Sequence, residues 1–170
     1  MERFDLYNKL GVKLNKTINR GDMTLENEYY KVVHLWIKNS KNQYLIQQRN
    51  KSTDLFPYQW APTAGACISG EQPIESVIRE VKEEIGYSFG LSEIKFLHRF
   101  FVERKHYNFI IEMFIVNKDI NLKDLVLDYN EVKDVKYSSF NDIMTMIENN
   151  EFWDFKTIAP KYMEILERDE

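Results

Sequence analysis

Two hydrophobic periods run along the chain. Alternation of period two marks Phe4-Asp5-Leu6-Tyr7 and Val12-Lys13-Leu14 as short strands, with turns at Gly11 and Arg20-Gly21-Asp22. Tyr30 to Ile37, β-branched and aromatic, predicts a core strand. After the turn Asn39-Ser40-Lys41-Asn42, Gln43 to Arg49 predicts a second strand, and the pair reads as a hairpin. Asn50 to Gln59, with Pro57, is a loop, and Trp60 leads into a short strand. Two apolar, aromatic runs, Ile94 to Val102 and Tyr107 to Val116, flank Glu103-Arg104-Lys105-His106 and read as a long antiparallel hairpin. Val132 to Tyr137 is a further strand. The helical period governs Pro73 to Ile85, then Phe140 to Ile147 with Ile143, Met144, Met146 and Ile147 apolar, then Ile158 to Leu166 with Pro160 in its first turn. Strands on both sides of one central helix, with helices at the end, predict a mixed α/β domain. Residues 1–170 read as one domain with an N-terminal β extension over 1–30 and no repeat or linker.

The central helix has two faces. Pro73 suits its first turn and Gly86 its stop. On a wheel of about 100° per residue, Ile74, Val77, Ile78, Val81 and Ile85 share one arc, and Glu80, Glu83 and Glu84 share the next. The wheel sets Arg79 and Lys82 outside the carboxylate arc. Glutamates at i, i+3 and i+4 repel by about 0.2–0.5 kcal/mol per pair on an exposed helix. A cation before them reverses that sign, and clustered carboxylates suit a hard ion such as Mg²⁺. Taken alone, Glu83-Glu84-Ile85-Gly86 reads as a solvated acidic face, because such tetrapeptides are common.

The wider spacing changes that balance. Gly65, five residues, Glu71, seven residues, then Arg79-Glu80-Val81-Lys82-Glu83-Glu84-Ile85-Gly86 resembles the Nudix box, and the stretch from Gly65 to Tyr87 is similar to the loop–helix of a Nudix hydrolase. Its last position, usually aliphatic, is Tyr87 here. The resemblance implies the Nudix fold, a mixed β-sheet sandwiched between α-helices. It implies Mg²⁺ (or Mn²⁺) held by Glu80, Glu83, Glu84 and the Gly65 carbonyl, with Glu83 or Glu80 as base. It also implies a structural pairing of Glu71 with Arg79, and a planar guanidinium fork fits a carboxylate in that way.

Composition narrows the partners. The net charge is −4 and the pI near 5.5, and no basic patch tracks a nucleic-acid backbone. A small diphosphate compound fits better than a long nucleic acid. No apolar run approaches transmembrane length and the start lacks a signal peptide's pattern, so a cytoplasmic enzyme is expected, its oligomeric state left open, a homodimer included. Cys67 is the sole cysteine; it reads as a buried small residue rather than a nucleophile, and His34 as a satisfied histidine.

Outside the box, Glu112 interrupts an apolar strand, a costly place for a charge that is neither paired nor metal-bound. Strand alternation toward solvent is the competing explanation. Nudix enzymes often carry a further carboxylate after the box, so Glu112 is expected as an additional ligand or base, with Glu103 next in line. Arg49 is expected to hold a diphosphate, and Tyr58 and Trp60 to stack on a base or sugar, although both rings would equally serve a core. The reaction so implied is hydrolysis of a nucleoside diphosphate linked to some group X. Two rivals are a non-catalytic nucleotide-sensing module and an isopentenyl-diphosphate-isomerase-like enzyme, which parts of the chain loosely resemble. The isomerases place a cysteine before the glycine that aligns with Gly65 and a metal-binding histidine after it. Here those positions are Ala64 and Ala66, and Thr53-Asp54 stands where the isomerases have a lysine.

Overall fold

The computed structural model describes residues 2–50, 56–153 and 159–168. Thr53, Asp54 and Ile158 therefore lie outside the described residues. Nine strands and three α-helices follow in chain order among them: β1 (Arg3–Tyr7), β2 (Lys13–Asn19), β3 (Tyr30–Lys38), β4 (Gln43–Arg49), β5 (Trp60–Ala61), β6 (Thr63–Ala66), α1 (Pro73–Ile85), β7 (Lys95–Val102), β8 (Phe109–Asn117), β9 (Val132–Ser139), α2 (Phe140–Glu148) and α3 (Ala159–Arg168). Strands β1 and β2 form their own antiparallel pair. The other seven make one mixed sheet, ordered β5-β4-β3-β8-β7, with β6 also on β3 and β9 also on β4.

The expected β3–β4 hairpin is only partly realised. It zips over two pairs, Ile37↔Leu45 and Lys38↔Tyr44, and then the strands diverge like a fork. Strand β6 takes the freed edge of β3, from Leu35↔Thr63 to Val32↔Ala66. Strands β5 and β9 take β4. Pro62 alone separates β5 from β6, so the chain passes from one limb of the fork to the other just before the box. The β7–β8 hairpin forms as expected, with a register shift between Phe96 and His98. The parallel pairing of β3 with β8 was not legible in the pattern; it buries β3 on both faces. Strand β2 also runs five residues past the predicted Val12–Leu14 piece, to Asn19.

Both sheet faces are covered. On one, Val77, Val81 and Ile85 of α1 pack on Val33, Leu35, Ile37, Leu45, Phe114 and Val116. On the other, α2 and α3 cover Trp36, Tyr44, Ile46, Ile111, Met113 and Ile115. The α/β sandwich expected from the sequence is the one observed. Helix α2 starts at Ser139, whose hydroxyl accepts from the Asp142 N–H at 3.2 Å. The Tyr162 hydroxyl of α3 is buried between two strand side chains. It accepts from Trp36 Nε1 at 2.8 Å and lies 2.9 Å from His34 Nδ1. Burial pushes His34 down to about 3, which makes it the satisfied neutral histidine the sequence predicts. The N-terminal pair docks through reciprocal backbone hydrogen bonds between Tyr7 and Tyr29, at 2.7 and 2.9 Å, and by stacking Phe4 on Tyr30.

Tyr162→Phe removes one hydroxyl and leaves two buried polar partners short of a bond. Denaturant unfolding is expected to show a loss of about 1–3 kcal/mol with an unchanged m-value.

Candidate metal and diphosphate site

The box forms as a loop followed by α1. Pro73 is the first helical residue, the Gln72 N–H donates to Glu75 at 2.7 Å, and Gly86 closes the helix in the left-handed region at φ +67°. Tyr87 lies past that stop and packs on Phe89.

Glu80 comes down onto β6 at Gly65. A Cβ built on Gly65 would stand 1.9 Å from the Glu80 carboxyl carbon and 2.0 Å from Oε1. The position is glycine because the carboxylate occupies the space a side chain would need. Glu84 is buried one turn on, and its Oε2 accepts from Gln47 Nε2 of β4 at 2.7 Å. Gln47 in turn accepts from Thr63 Oγ1 of β6 at 3.1 Å. Glu83 is turned toward solvent. Burial, then the charge of Glu80, push the Glu84 carboxyl up to about 8 despite the Gln47 hydrogen bond. Burial likewise pushes Glu80 up to about 7, with Arg79 pulling the other way. Two carboxylates held this far above their usual range are groups that a cation would relieve.

The loop is fastened by Arg79. Its Nε and Nη2 grip the two Glu71 oxygens at 2.8 and 3.1 Å, and Nη2 also donates to the Ala66 carbonyl at 3.0 Å. Glu71 takes further bonds from Ser76 Oγ and the Ile68 N–H. One expectation is corrected. Arg79 does reach the carboxylate arc: Nη1 donates to Glu80 at 2.7 Å and to Glu83 at 3.1 Å. The wheel tracks Cβ directions, whereas a long guanidinium side chain reaches its i+4 neighbour across one turn. Among the described residues, no three His, Cys, Asp or Glu side chains stand together as a ready metal cluster. The donor set itself fits a hard divalent ion, with oxygen ligands only and a glycine seat beneath the central carboxylate.

The remaining predicted residues are spread over the fold. Glu112 lies on β8. It is buried, and its Oε1 lies 3.0 Å from Lys31 Nζ and 2.8 Å from Arg99 Nη2. Its charge is thus balanced by two cations rather than turned to solvent, and it also acts on the Cys67 thiol of the box loop. Glu103 is exposed and binds Tyr29 Oη and Lys9. With both partners it lines a cavity of about 350 Å³ to which no box residue contributes. Arg49, at the end of β4, is close enough for its charge to act on Glu84. Trp60 packs against the core on the α2–α3 face, with Lys136 Nζ 4.2 Å from its ring centroid. Tyr58 is half exposed at φ +62°, under Lys133. Cys67 is buried, and burial pushes its thiol up to about 11.

Sequence reasoning missed Gln47 and Glu131. Gln47 reads as an ordinary strand residue, and only the fork brings it over Glu84. The segment before β9 caps α1 through Val126 N–H to Ile85 O and Asp128 N–H to Glu84 O, both 3.0 Å. The charge of Glu131 in this segment adds to the upward push on both Glu80 and Glu84. No motif spacing links it to the box.

Gly65→Ala is expected to cost about 1–3 kcal/mol from the clash. On a Glu80→Ala background that cost should vanish, which a double-mutant cycle of unfolding free energies checks. A pH dependence follows as well. Folded Glu84 holds its proton to about pH 8, against an ordinary value of 4.5. Within that window the folded chain binds a proton that the unfolded chain has lost, so this group's contribution falls as pH rises. In chelator, Glu84→Gln should melt above wild type beyond about pH 8, with the gap closing toward pH 4.5; a Tm series measures it.

Comparison with known proteins agrees with this geometry. Residues 29–159 match the family model described as NUDIX domain. An uncharacterized Nudix hydrolase of Listeria innocua is 36% identical over 155 residues, covering 89% of this chain and 88% of its own. A solved Deinococcus radiodurans structure superposes with a TM-score of 0.75 at 21% identity, covering 94% of this chain and 98% of that one. The NUDIX domain of Shewanella oneidensis NrtR, complexed with ADP ribose, does so with a TM-score of 0.64 at 14% identity, covering 83% and 88%. The matched segment contains β3 to β9, the whole box and the Gly65–Glu80 seat, and the chain belongs to the Nudix family.

Proposed function

We propose that this protein hydrolyses the diphosphate bond of a nucleoside diphosphate derivative and depends on Mg²⁺ or Mn²⁺ to do so. The observation that carries the reading is the seat of Glu80 on Gly65 beside buried Glu84, a pair of carboxylates raised by burial and by the charge of neighbouring carboxylates. Glu80, Glu83, Glu84 and the Gly65 carbonyl are the groups that would hold the ion. A divalent ion there supplies Lewis-acid stabilisation of the diphosphate oxygens and a more acidic bound water.

The chain's own residues supply the rest. One box glutamate takes the proton of the attacking water, with Glu83 or Glu80 in that role. Gln47, fixed by Thr63, holds the orientation of Glu84. Glu71 and Arg79 keep loop and helix in register. Arg49 lies beside Glu84, where a guanidinium can grip diphosphate oxygens. Lys136 on β9 lies over Trp60, on the α2–α3 face of the sheet, and Lys133 lies over Tyr58. Glu112, already paired with Lys31 and Arg99, is left out of the catalytic set. ADP ribose, the molecule complexed with the Shewanella domain, is a nucleoside diphosphate linked to a sugar and belongs in the substrate panel.

Isomerase chemistry finds less support. Proton transfer at carbon needs a positioned acid and base. Ala64 offers neither, and Cys67 is buried with its thiol pushed up.

The test is a panel of nucleoside diphosphate sugars, dinucleoside polyphosphates, nucleotide cofactors and nucleoside triphosphates. Metal-dependent release of phosphate or nucleotide from at least one is expected. Glu83→Gln should keep its Tm and lose most turnover. Activity that persists in excess chelator would sink the metal assignment. Exchange of isopentenyl with dimethylallyl diphosphate, with no hydrolysis across the panel, would favour the isomerase.

A further inference from the structure

The family match begins at residue 29, yet β1, upstream of it, is bonded directly to the box loop. The Asp5 carboxylate accepts on Oδ1 from Ser69 Oγ and on Oδ2 from the Gly70 N–H, both at 2.9 Å. Two residues earlier, the Arg3 carbonyl accepts from the Ser69 N–H at 2.7 Å. Lys13 Nζ of β2 sits 2.6 Å from Oδ2 and balances the charge, and the Asp5 side chain is only 9% exposed.

These contacts fall on the outer side of the loop. Its inner side is already held by Glu71 and Arg79. Ser69 and Gly70 point away from that clamp, and nothing stands within 4 Å of where a Gly70 Cβ would be. Their N–H groups find their partners in β1. Strand β1 is anchored in turn: Phe4, Asp5, Leu6 and Tyr7 are buried, and Tyr7 exchanges backbone bonds with Tyr29 at the head of β3. A charged acceptor fixing two exposed loop donors is a strong, directional restraint.

We propose that Asp5 is a positioning residue for the site. It fixes Ser69 and Gly70 from outside, and through that loop sets Gly65 against Glu80. The inference rests on the metal-dependent hydrolase reading and extends it to a part of the chain that the family match does not cover.

The experiment uses the full chain and three variants. Asp5→Asn keeps the shape and one acceptor oxygen for the Gly70 N–H and Lys13, but it removes the charge that strengthens both bonds and turns the Ser69 contact from acceptor to donor. Ser69→Ala removes one exposed donor and carries the test if Asp5→Asn does not fold. Arg20→Ala breaks the Arg20–Glu2 pair of the same hairpin, away from the loop, and is the control. Hydrogen exchange of the 67–71 segment and the half-saturating Mn²⁺ concentration are measured, the latter both from hydrolysis and from the Mn²⁺-induced rise in Tm.

Loss of a bond to a charged group should speed exchange in the segment by on the order of 10-fold in Asp5→Asn. Half-saturating Mn²⁺ should rise several-fold in both readouts, with kcat at saturating Mn²⁺ close to wild type. Ser69→Ala should move the same way by less, and Arg20→Ala should move neither. Wild-type exchange or wild-type Mn²⁺ saturation in Asp5→Asn overturns the proposal, as does an equal effect of Arg20→Ala. A wild-type protein with neither Mn²⁺-dependent activity nor a Mn²⁺-dependent Tm overturns the hydrolase reading instead, and the exchange data then decide separately whether Asp5 orders the loop.

Discussion

A carboxylate occupies the place of a side chain on β6, and much else is arranged to make that contact bearable. Burying an ionised group is costly unless it is paired. Helix α1 brings Glu80 down because its apolar arc, Val77, Val81 and Ile85, must reach the sheet. Gly65 is the only residue type that leaves room. Arg79 offsets part of the charge while its remaining nitrogens hold Glu71 and the Ala66 carbonyl. One guanidinium thus fastens the loop and shares the electrostatics of the helix, so the position of the loop and the state of the carboxylates are not separable quantities.

Much of this was readable from residue order. The two arcs of α1, its Pro and Gly boundaries and the Gly65-to-Gly86 spacing are local, and local patterns survive folding. The face of a strand is local too, and it gave the β3, β4 and β8 cores. What escaped the sequence is what depends on which strands become neighbours. The parallel β3–β8 pairing brings Lys31 within reach of Glu112, and the β7–β8 register brings Arg99. A carboxylate that looked like an orphan is therefore a paired one. Gln47 gains its role only when β4 leaves β3. Asp5 gains its contacts only when the N-terminal pair docks on the box loop. Arg79 is a different case: its neighbour Glu83 is four residues away, but a wheel records directions and not the length of a side chain.

Two ionic systems share one face of the sheet and have opposite characters. Around Glu80, carboxylates outnumber cations, and burial leaves Glu80 and Glu84 raised. Around Glu112, two cations surround one carboxylate. The first arrangement invites a cation and the second is already satisfied. This difference in charge balance, more than burial as such, separates a site from a structural ion cluster.

The fork in the sheet has a mechanical consequence. Glu80 rests on β6, which belongs to the β3 limb, and Glu84 is tied to Gln47 on the β4 limb. Both glutamates stand one turn apart on α1, so the helix lies across the two limbs like a bar across open jaws. The Thr63–Gln47 hydrogen bond spans the limbs, and the Ile37–Leu45 and Lys38–Tyr44 pairs form the pivot. Side chains at the pivot or across the limbs thereby bear on where Glu84 stands relative to the seat of Glu80 on Gly65.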